Sequence, residues 1–174
     1  MMKRMMVSVA AILAASAPAM AASDTVKTLC QIEIPRDEAE APTRRAETVG
    51  FMKRVEGQVK VLRPKAAGFD ELDAEVGMDL FAADAVATGA NGGFDAIFTD
   101  NSTISGVADT CVEISHYVFK AAEKTGEFRM RLGRGVVSVA AGDVAKSGAD
   151  RMSVKIRNDT NLAVTGTRIV IRAK

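Results

Sequence analysis

The stretch Gly89–Gly106, "GANGGFDAIFTDNSTISG", contains an apolar strand with a turn on each side. In the run Phe94–Phe98, the side chains Phe, Ala and Phe occupy alternate positions and therefore share one face of a strand. Glycine and asparagine before this run, and Asp100 and Asn101 after it, favour tight turns. Ile104 then begins a return strand. The stretch therefore predicts an antiparallel hairpin.

Similar alternating runs recur from residue 50 onward, and glycine or Asx turns separate them. They read "GQVKVL", "TCVEISHYVF", "EFRMRLGRGVVSVA", "RMSVKIRND" and, at the end, "NLAVTGTRIVIRAK". Residues 68–81 are ambiguous between a strand and a short helical turn. Many short strands with frequent turns and no long helical stripe predict an all-β domain of antiparallel strands in a twisted sheet. We expect little helix outside the N-terminus.

Strict alternation in "TCVEISHYVF" sorts its side chains into two faces. The apolar face would carry Val112, Ile114, His116 and Val118, and the other face Cys111, Glu113, Ser115 and Tyr117. His116, the chain's one histidine, is thus expected in a core or half-buried position rather than as a ligand. One histidine without a nearby cysteine pair gives no recognisable zinc spacing.

The N-terminus has the pattern of a secretory signal peptide over residues 1–21. Lys3 and Arg4 precede the apolar run Met5–Ala15, and Ala19 and Ala21 form an A-x-A cleavage pattern. An uncleaved membrane anchor is the alternative, but this run is shorter than the ~20 residues that a spanning helix needs. We expect cleavage after Ala21 and a periplasmic or secreted product with no membrane span.

Residues 22–49 read as an N-terminal arm, because Arg36–Thr48, "RDEAEAPTRRAET", is charged and has no periodic apolar face. The folded domain is expected over residues 50–174. Two cysteines remain after the signal peptide, Cys30 and Cys111. An even count in an oxidising compartment favours a disulfide between them, although two free thiols are the alternative. Because Cys111 is predicted off the main apolar face, an added N-terminal segment could cover it.

Composition and motifs argue against several kinds of site. A formal net charge of +1 provides no basic field for nucleic acid. "GANGG" lacks the Lys-Ser/Thr of a phosphate-binding loop, and no G-x-S-x-G nucleophile motif occurs. Arg129, Arg131 and Arg134 could bind anions, but they are more typical of the wet face of a strand. The sequence predicts no catalytic residue, cofactor or metal site.

The order of these pieces resembles the FecR-type domain over residues 50–174. The matching pieces are Thr88-Gly89, the apolar strand Phe94–Phe98, the turn Asp100-Asn101-Ser102, Tyr117-Val118-Phe119, the step Leu132–Gly135, Gly142–Lys146 and Thr165-Gly166-Thr167. At four places the sequence departs from the family pattern. Asn101 replaces Gly, Ala83-Asp84 replaces Gly-Asp, Asn158-Asp159 replaces Thr-Pro, and Thr165 replaces Arg. These departures weaken any transfer of a binding role to those positions.

The resemblance implies an all-β domain with a solenoid-like twist. It gives Thr88, Gly89, Asp100, Tyr117, Phe119, Gly135, Gly142, Gly166 and Thr167 a structural role. Well-known members are periplasmic parts of membrane-spanning regulators that control a sigma factor. This sequence lacks their preceding cytoplasmic and transmembrane segments, so the resemblance implies a stand-alone exported version.

We therefore expect a non-catalytic module, with a signalling or scaffolding role, that binds an envelope protein or a cell-wall glycan through a strand edge or turn. An exported enzyme with an unrecognised site, or a sensor of a small ligand such as an iron chelate, is the alternative.

Overall fold

The structure, a computed structural model, describes residues 30, 47–65, 68–157 and 160–174. Strands make up 64% of this part of the chain and helix 4%, which confirms the all-β prediction. The strands are β1 Thr48–Glu56, β2 Val59–Lys65, β3 Gly68–Asp73, β4 Asp79–Phe81, β5 Ala85–Thr88, β6 Gly93–Phe98, β7 Thr103–Gly106, β8 Cys111–Lys120, β9 Thr125–Ala140, β10 Met152–Ile156, β11 Thr160–Ala163 and β12 Arg168–Ala173. A short helix, α1, spans Asp143–Lys146.

The predicted signal peptide and most of the predicted arm lie outside the described residues. β1 begins at Thr48, and Val49 within it is buried in the core. None of the described helices is long and apolar enough to cross a membrane.

The 16-residue strand β9 joins two halves of one curled sheet. Its first half pairs with β8 on one side and, in parallel, with β10 on the other. Its second half pairs with β7 and β12, both antiparallel. The change of partners occurs at Gly135, whose φ is +88°. A Cβ there would lie 2.4 Å from Thr110 Oγ1, so both conformation and space require glycine.

The first half of the sheet runs β3-β2-β5-β8-β9, with β10 and β11 beyond β9. The second half continues from β9 through β7, β6 and β1 to β4. The core lies on the inner side of the curl. Its largest fully buried side chains include Phe94, Phe128, Met52, Leu80, Ile104, Met130 and Leu132. Full burial of one such side chain contributes about 1.5–3 kcal/mol.

The predicted alternation holds in most strands. Phe94, Ala96 and Phe98 are buried from β6, and Phe128, Met130 and Leu132 from β9. Val59 and Val61 in β2, and Met152 and Val154 in β10, are likewise buried. The ambiguous residues 68–73 form β3 rather than a helical turn.

In β8 the predicted faces are wrong beyond Ile114. The register shifts between Glu113, which pairs with Arg131, and His116, which pairs with Arg129. One extra residue on β8 makes this a β-bulge, and a one-residue insertion reverses the faces that follow. His116 and Val118 are therefore exposed, while Tyr117 and Phe119 pack against the core.

Two departures from the FecR-type pattern have left-handed backbone, the conformation that the family's glycine favours. Ala83 has a φ of +71° and Asn101 a φ of +64°. This region costs roughly 1–2 kcal/mol for most residues, but asparagine tolerates it better.

We therefore expect Ala83→Gly to raise the free energy of unfolding by about 0.5–1 kcal/mol, since glycine's greater entropy in the unfolded chain offsets part of the gain. Urea unfolding followed by circular dichroism measures this. Asn101→Gly is the matched control, with little expected change. A loss of stability in Ala83→Gly would contradict the strained conformation.

Candidate functional site

The outer face of the first half of the sheet divides into a covered apolar part and an open polar part. In the covered part, Cys30 bonds to Cys111 with a Cα–Cα distance of 5.3 Å, which confirms the predicted disulfide. Both cysteines are buried in a small cluster with Leu62 and Ala85. Cys111 thus lies off the main core, as its position in the strand predicted, and the residue that covers it comes from the N-terminal segment.

The open polar part is a shallow depression that we call the outer groove. It lies across β8, β9, β10 and β11 and has a volume of about 920 Å³. A smaller depression of about 360 Å³ adjoins it and shares His116 and Glu127. The charged side chains that line the outer groove are His116, Glu127, Arg129, Arg131, Asp150 and Lys155.

Cross-strand register arranges these charges in rows. One row runs from Glu113 to Arg131 to Lys155, and the next places His116 beside Arg129. Arg131 Nη1 donates to Glu113 Oε2 at 3.0 Å. Burial raises the pKa of Glu113 above its ordinary value, and the charge of Arg131 partly opposes this. The Glu113–Arg131 pair is therefore largely buried, and it lies between the covered cysteine cluster and the outer groove.

Glu127 lies between two partners on the groove floor. It pairs with Arg129, and its Oε2 lies 3.6 Å from His116 Nε2. The hydroxyl of Ser115, in the bulge, is buried with no hydrogen-bond partner among the described residues. The bulge thus turns the His116 side chain to the outer face, where it lines the groove. Strict alternation had placed this histidine in the core.

The buried carboxylate of Asp100 accepts hydrogen bonds from three separate segments of the chain. Its Oδ1 accepts from Ser102 N at 3.1 Å and from the Tyr117 hydroxyl at 3.1 Å. Its Oδ2 accepts from Ser102 Oγ at 2.6 Å and from Val144 N at 3.2 Å. Burial raises the pKa of Tyr117, so the phenol stays protonated and donates. Asp100 therefore ties the turn after β6 to β8 and to α1.

A second buried carboxylate, Asp84, has an equally complete set of partners. Arg63 donates to it from Nε at 3.0 Å and from Nη2 at 2.8 Å, and Phe81 N donates at 3.0 Å. The Arg63 guanidinium lies over the Phe81 ring, 4.4 Å from its centre. These contacts fix the turn between β4 and β5. Because their polar atoms are satisfied within the fold, Asp84 and Asp100 have structural rather than chemical roles.

The residues named by the FecR-type resemblance fall into separate places. Asp100, Tyr117 and Gly142 come together, and Gly142 N donates to Ser102 Oγ at 3.0 Å. A Cβ at Gly142 would lie 2.3 Å from the Asp100 carbonyl oxygen, so only glycine fits there. Phe119 packs on the main core.

A second group contains Thr88, Gly89 and Gly135 around the turn before β8. Thr88 Oγ1 donates to Val107 O at 2.6 Å and accepts from Thr110 N at 2.9 Å.

The remaining two motif residues, Gly166 and Thr167, lie away from both groups. Thr167 O accepts from Ala141 N at 3.0 Å, while nothing approaches a Cβ placed at Gly166. Thr165 is exposed, and Asn158 and Asp159 lie outside the described residues.

Four strands of the described sheet pair with only one neighbouring strand: β3, β4, β11 and β12. β4 and β11 have only three and four residues, and β3 carries acidic side chains that oppose pairing with another strand. β12 has six residues and carries Val170, whose side chain is 69% exposed. We call its unpaired side the β12 edge.

Among the described residues, no group of three or more His, Cys, Asp or Glu side chains is placed to hold a metal ion. Sequence reasoning missed the outer groove because the residues that line it come from four strands, β8 to β11. The apolar residues of β8 did hold a signal of the bulge, since they change phase from Val112 and Ile114 to Tyr117 and Phe119.

Comparisons with known protein families, with curated proteins and with solved structures found no match to this chain. The FecR-type resemblance therefore stays a prediction.

Proposed function

We propose that the chain is a non-catalytic recognition module, exported to the periplasm or secreted, that binds a cell-envelope protein in a signalling or scaffolding role. The observation that carries this proposal is the β12 edge, the unpaired side of a six-residue strand with the exposed apolar side chain Val170. The Cys30–Cys111 disulfide supports the oxidising compartment, because such bonds persist mainly outside the cytosol.

An unpaired strand edge presents backbone N–H and C=O groups in a fixed repeat. A partner polypeptide in extended form matches this repeat along its length, and side-chain pockets then add specificity. Natural sheets usually guard such edges with charge, short length or cover. β12 carries Arg168 and Arg172 at its ends, but Val170 between them remains open.

A cell-wall glycan is the second partner that the strand pattern suggested, and the edge favours it less. Sugar rings bind well against the faces of Trp, Tyr and Phe, but none of these side chains is among the residues that line the outer groove and its neighbouring depression. A sugar chain also lacks the regular donors and acceptors that a strand edge offers.

An exported enzyme and a small-ligand or iron-chelate sensor remain the competing functions. An enzyme needs a cleft in which polar groups converge on a reacting atom, whereas the outer groove is broad and open. A thermal shift with candidate iron chelates tests the sensor, because a ligand that binds only the folded state raises the unfolding midpoint.

We expect Val170→Lys to abolish capture of the envelope partner, because a lysine at this position opposes strand addition. The full chain, tagged and expressed with its own N-terminus, would be crosslinked in intact cells, and captured proteins would be identified by mass spectrometry. Val76→Lys is the matched control, since Val76 is 68% exposed but lies between β3 and β4.

A protein captured by the wild-type chain and by Val76→Lys, but not by Val170→Lys, supports the proposal. Equal capture by all three chains would place the interface elsewhere. Recovery of no defined partner under several crosslinkers would refute a protein-binding role.

A further inference from the structure

We propose that the outer groove binds an extended acidic peptide segment that presents two carboxylates two residues apart, as in Glu-x-Glu. This site is separate from the β12 edge and does not depend on it. The proposal rests on the charge of the groove, on the spacing of its arginines and on the kinds of side chain that line it.

The groove has an excess of positive charge. Five lysine and arginine side chains line the two adjoining depressions, against two carboxylates; they are Lys120, Arg129, Arg131, Arg151 and Lys155, with Glu127 and Asp150. Glu113, which pairs with Arg131, and Glu123, which pairs with Lys120, lower the formal excess from three to one. The side chains that line the two depressions are nevertheless mostly cationic. A concave surface with one sign of charge attracts ligands of the other sign.

Several of these cations have donors left for a ligand. Arg131 uses Nη1 for Glu113, and Arg129 uses Nη2 for Glu127. A guanidinium has five N–H donors, so each can also hold a second carboxylate. Within the described part of the chain, Lys155 and Arg151 form no ion pair within 4.0 Å, and both are exposed.

The spacing of the arginines favours an extended peptide. Arg129 and Arg131 lie two residues apart on one face of β9, which separates them by about 6.6 Å. Side chains at alternate positions of an extended peptide have the same separation. A peptide lying along β9 therefore places two carboxylates, two residues apart, against Arg129 and Arg131, while Glu127 holds the next alternate position of the same face. Lys155 pairs in register with Arg131 and widens the cationic row by one strand.

The lining also distinguishes a peptide from other anions. Glu127 and Asp150 would repel a ligand with a charge at every step, such as a nucleic acid backbone. Phe, Tyr and Trp, the side chains that stack best on bases, do not line the groove. Ser153 and Asn161 do line it and offer neutral donors and acceptors to a peptide backbone.

The test measures binding of two labelled peptides of equal charge, Ser-Glu-Ser-Glu-Ser and Ser-Glu-Glu-Ser-Ser, by fluorescence anisotropy at low salt. We expect the first, alternating peptide to bind at least about threefold more tightly, because only its two carboxylates share one face when it is extended. We expect the double variant Arg129→Glu/Lys155→Glu to weaken its binding by at least about tenfold, since attraction becomes repulsion.

The matched control is Lys53→Glu/Lys60→Glu, which makes the same change of charge at exposed positions on β1 and β2, outside both the outer groove and the β12 edge. It should leave the affinity within about twofold of the wild type if the groove is the site. Circular dichroism checks that both variants are folded. The peptide Lys-Ser-Lys-Ser-Lys should bind the groove variant more tightly than the wild type.

Three results would overturn the proposal. Equal weakening in both double variants would indicate a general charge effect. Equal affinity for the two peptides, or no binding of either, would remove the spacing argument. Tighter binding of an oligothymidylate that is lost in the groove variant would assign the groove to nucleic acid instead.

Discussion

Replacing Cys30 and Cys111 together with alanine is expected to lower the free energy of unfolding by about 4 kcal/mol. The two cysteines are 81 residues apart, so the bond restricts a long loop in the unfolded chain. In the folded state both cysteines are buried against Leu62 and Ala85, so the bond also holds the cover of this apolar cluster. Alanine is chosen because serine would bury a hydroxyl group. Urea unfolding, followed by circular dichroism, measures the loss.

Reduction of the wild-type chain is the control, because it breaks the same bond without changing the sequence. Reduced wild-type protein and the double alanine variant should show similar unfolding midpoints. Non-reducing peptide mapping should recover the linked peptide that contains Cys30 and Cys111. A loss below about 1 kcal/mol in both measurements would mean that the bond contributes little to stability, contrary to the loop-entropy argument.

The pairing of Cys30 with Cys111 followed from an even count and an oxidising compartment, without geometry. The strand faces of β6, β9 and β10 followed from alternation, because one side of each strand faces a single core. Such predictions depend only on neighbouring residues in the chain. They are reliable where one local pattern decides which side is buried.

The error at His116 has a different origin. A bulge adds one residue without leaving an unambiguous local signature, and Val118 fitted strict alternation while Tyr117 and Phe119 did not. Weighing these two aromatic residues more heavily would have predicted the change of face. The outer groove depends on this change and on pairing across four strands, which no local pattern specifies.

The buried carboxylates were also missed as central features. The sequence identified Asp100 as a turn residue, and it does lie in the turn after β6. Its partners Tyr117 and Val144 are 17 and 44 residues away. Only the folded chain shows that β8 and α1 both reach this turn.

Replacing Asp100 with alanine is expected to lower the free energy of unfolding by about 3–4 kcal/mol. The carboxylate accepts four hydrogen bonds and is 0% exposed. Alanine would leave the donors of Ser102 and Val144 buried without an acceptor, and the Tyr117 hydroxyl with Thr99 Oγ1 as its remaining acceptor. Each hydrogen bond to a charged group contributes about 1.5–3 kcal/mol, and partial access of water to the cavity recovers some of that loss. Urea unfolding again provides the measurement.

The comparison that isolates this network is a double-mutant cycle with Tyr117→Phe, which removes one donor and keeps the ring on the core. Since Tyr117 donates to Asp100 Oδ1, the two changes should cost less together than the sum of each alone, by about 1 kcal/mol or more. Asp73→Ala serves as the exposed control, because Asp73 is 82% exposed and its loss should change stability by less than about 0.5 kcal/mol. Additive effects of Asp100→Ala and Tyr117→Phe would show that the two side chains stabilise the fold independently. Equal effects of Asp100→Ala and Asp73→Ala would mean that the buried carboxylate does not hold β8 and α1 to the turn.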